Sequence, residues 1–94
     1  MTAPTLESFT HQALDEGFDA ILVREWAPDL VLDTHTHSFA VSVYVARGEY
    51  WLTVGDKVQH LQAGDTFRLD RDVPHAEHYG KQGATIWVAR ANRE

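Results

Sequence analysis

The sequence predicts an all-β fold, a small antiparallel β-barrel or jelly roll preceded by one short helix. Hydrophobic periodicity is helical only at the start of the chain and alternates after residue 18. The alternating runs are short, and each is bounded by Gly, Pro, Asp or Asn. Seven or eight such runs within 94 residues suit an antiparallel barrel, which closes or stacks its edges and can hold a ligand in its mouth.

The helix spans about residues 5–16. Thr5 or Ser8 can cap it, Leu6, Phe9, Ala13 and Leu14 fall near one face, and Gly17 followed by Phe18 forms a stop with a hydrophobic latch. The barrel then runs over about 20–90. Strands are expected at "AILVREW", "VLDTHTH", "AVSVYVA" and "YWLTV". Turns follow at "VGDKV", where Gly55-Asp56 suits a tight hairpin, and at "QAGD", "DRDVP" and "YGKQGA", before a last strand "TIWVARA". No repeat or second domain is expected in residues 1–94, so every buried element of this short chain must count.

Composition narrows the function. The chain has 14 acidic against 8 basic residues, a formal charge of −6, and no basic cluster, so a nucleic-acid backbone would be repelled. It has no Cys, so any metal must be held by nitrogen and oxygen. The N-terminal residues lack a signal-like basic and apolar pattern, and no segment approaches the roughly 20 apolar residues of a membrane span. A cytoplasmic protein without membrane partners is the expectation.

Chemistry concentrates in "DTHTHSF". On an extended strand His35 and His37 share one face with about 6.6 Å between their α-carbons. A third ligand is available in His75 of "VPHAEHY", whose approach is fixed by Pro74. With 6 histidines in the chain, the pair alone can equally be two that fall together.

The wider pattern is more specific. The run from "HTHSFAVSVYVARG" through "AGDTFRLDRDVPH" resembles the cupin superfamily, whose motifs are G-x5-H-x-H-x3,4-E-x6-G and G-x5-P-x-G-x2-H-x3-N. His35, His37 and His75 match the motif histidines, and Gly48 and Gly64 match glycines. Elsewhere the sequence departs from the pattern. Val41, or Ser42 with the longer spacer, stands where the family has Glu; Asp70 and Asp72 replace the proline and glycine; Tyr79 replaces the asparagine.

The resemblance implies a divalent transition metal, Fe, Zn, Ni or Mn, bound by His35, His37 and His75. It also implies an enzyme of dioxygenase, isomerase or lyase type acting on a small polar molecule. The alternative is a non-catalytic module that binds a small ligand, of the sort attached to bacterial transcription regulators. Glu77 shares the inward parity of His75 and is the candidate catalytic base or fourth ligand, against a rim carboxylate paired with Arg68, Arg71 or Arg90. Asp33 is assigned to a solvated turn, His11 and His60 to the surface, and His78 to the face opposite His75. Arg68, Asp70, Arg71 and Asp72 are read as a solvated loop near the mouth, and Tyr44, Tyr50, Trp51 and Trp87 as core or interface packing. The apolar edge strand "AILVREW" favours a homodimer.

Overall fold

The computed structural model describes residues 3–92. It contains helix α1 (Leu6–Asp15) and strands β1 (Ala20–Trp26), β2 (Val31–His35), β3 (Ala40–Val54), β4 (Lys57–Gln62), β5 (Thr66–Leu69) and β6 (His75–Ala91).

Both helix signals act as expected. Thr5 is the N-cap, and its side chain and that of Ser8 bond each other's backbone N–H groups. At the other end Gly17 takes φ +100°, and the N–H groups of Gly17 and Phe18 donate to the carbonyls of Leu14 and Ala13. The apolar face is narrower than expected. Ala13 is buried and Phe9 meets Trp87, with ring centroids 5.9 Å apart, but Leu6 and Leu14 remain exposed.

All strand pairings are antiparallel, and two long strands organise them. The first half of β3 lies between β5 and the second half of β6, which also pairs β1. The second half of β3 lies between β4 and the first half of β6, which also pairs β2. Strands β3 and β6 thus cross from one layer of the barrel to the other. This corrects the expectation of seven or eight strands: "AVSVYVA" and "YWLTV" are one strand, and "YGKQGA" lies within β6 rather than separating two strands.

Glycines permit the crossing. The β3–β6 register shifts between Val45 and Arg47 and again between Gly48 and Tyr50. Gly48 has φ +82°, and a Cβ there would meet the Gly83 carbonyl oxygen at 2.1 Å. Gly83 has φ +67°, and a Cβ there would meet the Trp26 carbonyl oxygen at 2.2 Å. Three backbones therefore touch at the corner, where no side chain fits.

Inward residues of both layers form one core: Val41, Val43, Val45, Ile86 and Val88 from one, Tyr50, Leu52, Leu61 and Tyr79 from the other. Of the four aromatics assigned to packing, Tyr50 is in this core. Tyr44 and Trp87 stack on each other at 4.9 Å, next to Phe9 of α1, and Trp51 lies on the opposite outer face between His60 and His78. Among the described residues no helix is long and apolar enough to cross a membrane.

Candidate metal centre

The three candidate ligands reach one place by three local devices. His35 ends β2, opposite His75, whereas Leu32 stands opposite Glu77, so β2 carries three steps where β6 carries two. This bulge lets Leu32 and His35 both line the interior despite their odd separation. His37 lies beyond the strand, correcting the expectation of one extended run through 31–37. Its carbonyl accepts from the Asp72 N–H at 2.7 Å, and its ring stacks on Phe39 at 4.8 Å. Asp72 holds φ +63°, the left-handed conformation that glycine adopts most readily and that Asp tolerates. The substitution of the motif glycine by Asp72 thus keeps the turn.

His35, His37 and His75 each present one ring nitrogen, all within 4.8 Å of one another, and His75 is buried. Their ring centroids are 4.4 to 5.0 Å apart. Two tautomers follow from hydrogen bonding. His35 Nδ1 is 2.7 Å from the Asp33 carbonyl oxygen and His75 Nδ1 is 2.9 Å from that of Val73. A carbonyl only accepts, so each Nδ1 carries the proton and each Nε2 keeps a lone pair. Backbone carbonyls holding the far nitrogen are the usual support of a metal-ligating imidazole. His37 is held below its ordinary pKa by burial, then by His75, His35, Arg90 and Arg24, which further favours the neutral, ligating ring. Three neutral nitrogen donors fit a first-row divalent ion and leave its charge uncompensated.

The histidines line a cavity of about 120 Å³ inside the barrel. Its wall also includes Arg24, Trp26, Phe39, Glu77 and Arg90. Glu77 points inward, but its carboxylate is not within the group of donor atoms formed by the histidines. Burial raises its pKa, while His75, His35 and Tyr79 act in the opposite sense. Beyond it lie Tyr50 and Tyr79, fully buried and stacked at 4.7 Å. The Tyr50 hydroxyl has no hydrogen-bond partner among the described residues, whereas that of Tyr79 faces the Glu77 carboxylate, and burial, reinforced by the Glu77 charge, pushes both well above the usual tyrosine range.

Other candidates fall elsewhere. His11, His60 and His78 are exposed, and His78 takes the outer face as its parity requires. Asp33 is exposed but belongs to β2 rather than to a turn, and serves the site through its carbonyl. Arg68 bonds Glu16, the C-cap of α1, rather than Glu77. Sequence reading missed Arg24 and gave Arg90 only a rim role. Their signal is parity: Arg24, exposed at the cavity edge, alternates with Leu22 and Trp26, and half-buried Arg90 alternates with Ile86 and Val88, which pack on the core. A separate groove of about 670 Å³, lined by Glu49, Trp51, Gln62 and His78 among others, contains none of the three histidines.

A protein-family model for the Cupin domain matches residues 22–89. An uncharacterized helix-turn-helix transcriptional regulator of Haemophilus influenzae is 46% identical over 35 residues, which cover 37% of this chain and 12% of that protein. Among solved structures, an RmlC-like cupin from Shewanella frigidimarina superposes with a TM-score of 0.69 at 23% identity, covering 83% of this chain and 70% of that one. A W96Y oxalate decarboxylase from Bacillus subtilis superposes with a TM-score of 0.70 at 19% identity, covering 82% of this chain and 22% of that one.

Proposed function

Because the chain belongs to the cupin family, we propose that it is a metal-dependent enzyme acting on a small polar molecule, with His35, His37 and His75 as ligands of one divalent Fe, Zn, Ni or Mn ion. The observation that carries this reading is the convergence of three ring nitrogens within 4.8 Å, two with the far nitrogen already occupied by a carbonyl. Such an ion, when bound, supplies Lewis-acid polarisation of a substrate oxygen.

The chain's own groups do the rest. The apolar wall of Leu32, Phe39, Val41, Phe67, Leu69, Ile86 and Val88 limits the water admitted beside the histidines. Glu77 sits in the same cavity and is the proposed base, taking a proton from the substrate. Its raised pKa makes it a better proton acceptor than an exposed carboxylate.

Glu77→Gln tests the assignment. A base loses turnover by about a hundredfold or more with metal retained; a ligand loses metal; a rim residue loses neither, and that last result ends the catalytic proposal.

A second reading has support in the 35-residue match to a transcriptional regulator. In it the same cavity binds a small ligand without turning it over. Saturable ligand binding with full recovery of unchanged ligand favours this reading.

The proposal extends to a cytoplasmic homodimer with no nucleic-acid or membrane partner. Support comes from the net charge of −6, from β1 at the sheet edge, and from exposed Val23, Val31 and Val58. Light scattering at micromolar concentration should give twice the chain mass; a monomer contradicts the dimer.

A further inference from the structure

Two arginines in the cavity wall are used by nothing described so far. Arg24 projects from β1 and is exposed at the cavity edge, Arg90 projects from β6 and is half-buried, and both line the cavity that holds the histidines. Neither forms an ion pair among the described residues. Each instead lies over an aromatic wall residue: Arg24 is 5.8 Å from the Trp26 ring centroid, and Arg90 is 4.4 Å from that of Phe39.

The polar atoms left over point the same way. Buried Arg90 Nε and Trp26 Nε1 have no hydrogen-bond partner. Both are donors with no capacity to accept, so an acceptor must complete them. The wall therefore presents two guanidiniums against a single carboxylate, Glu77, in a chain whose net charge is −6, and two of its residues, Arg90 and Trp26, each keep a buried N–H without a partner. A local excess of positive charge and donors in an acidic protein selects an anion.

We propose that Arg24 and Arg90 are an anion clamp over the three-histidine centre, and that the molecule entering the cavity is a small monocarboxylic acid whose carboxylate seats against the guanidiniums. This rests on the reading of the cavity as a substrate or ligand site, and it names the class of molecule. Charge favours a carboxylate over a phosphate, and volume limits the acid to a small one. Phosphate groups carry close to two charges at neutral pH, and the second would face Glu77. The cavity, about 120 Å³, holds only about four water volumes, room for a few heavy atoms beside the histidines. Clamped at one end, the acid presents its neighbouring carbon or oxygen to Glu77 and the histidines.

The test is calorimetric titration of the metal-free and the zinc-loaded protein with pyruvate, lactate and glycolate, each beside its neutral amide and beside inorganic phosphate. At least one acid should bind about tenfold or more tightly than its amide and than phosphate. Arg24→Gln and Arg90→Gln should each weaken that acid about tenfold while leaving the amide unchanged, and the lysine variants should recover only part of the loss. Zinc affinity, measured separately, should fall in none of the four variants. Equal binding of acid and amide, tighter binding of phosphate, a preference that survives the double Gln variant, or no binding of any acid overturns the proposal. If zinc fails to bind while the arginine-dependent acid preference remains, the metal reading fails and the clamp stands.

Discussion

Two clusters of three rings meet at β6, one inside the barrel and one outside. Inside, His35, His37 and His75 gather with centroids 4.4 to 5.0 Å apart. Outside, His60 stacks on Trp51 at 4.5 Å with nearly parallel rings, and His78 leans on the same indole at 5.9 Å. Both contain histidines at similar spacing, yet their chemistry differs. The outer row is a cross-strand ladder of directly opposed residues, His78, Trp51 and His60, and His60 bonds the Glu49 carboxylate at 3.2 Å in solvent. In the inner group two Nδ1 atoms are committed to carbonyls and the remaining nitrogens converge beside a cavity. Proximity of histidines is thus a weak signal; side of the sheet and tautomer carry the information.

The comparison depends on which face each residue takes, and the corner glycines hold that arrangement. Gly48→Ala or Gly83→Ala should break both clusters together. The added Cβ would stand 2.1 or 2.2 Å from a backbone oxygen at a positive φ, costing about 3 kcal/mol or more and lowering the melting temperature by about 10 °C or more in calorimetry.

A second test breaks the inner cluster alone. Replacing His35, His37 or His75 by Ala should weaken zinc or nickel binding by more than about a hundredfold, since even outer supports of a metal site are worth 10- to 100-fold. A saturating ion at about 100 times its dissociation constant should stabilise the wild-type chain by about 2.7 kcal/mol, reversed by chelator, and the variants by almost nothing. Thermal melts with and without the ion read this directly.

The outer cluster supplies the smallest effects. His60→Ala and His78→Ala should cost about 1 kcal/mol or less each, the scale of an exposed cross-strand contact, and leave metal affinity unchanged. A loss of metal in either variant would erase the distinction between the clusters.

Much of this contrast was legible in the sequence. Strand parity puts His75 and Glu77 inward and His78 outward, because the side-chain period of an extended strand is two. The helix ends were legible because Thr5, Ser8, Gly17 and Phe18 act through their own backbones. Where long-range geometry overrides local pattern, reading failed. The joining of "AVSVYVA" to "YWLTV" depends on backbone contact at Gly48 and Gly83, and no local composition reveals it. His35 and His37 converge through a bulge in β2 and a bond from Asp72, neither of which a simple extended strand contains. Arg24 was missed and Arg90 given only a rim role because a charged residue on a strand is ordinarily solvated, as Arg24 in part is, although alternation with Leu22, Trp26, Ile86 and Val88 puts both on the side of the cavity.

The central claim is that three imidazoles hold one ion. X-ray absorption of the protein loaded with one equivalent of zinc, compared with His75→Ala, tests it most directly. The account predicts three imidazole nitrogens at about 2.0 to 2.1 Å in the wild-type chain and at most two in the variant. A spectrum with fewer than three imidazoles, or one that the substitution leaves unchanged, would contradict it.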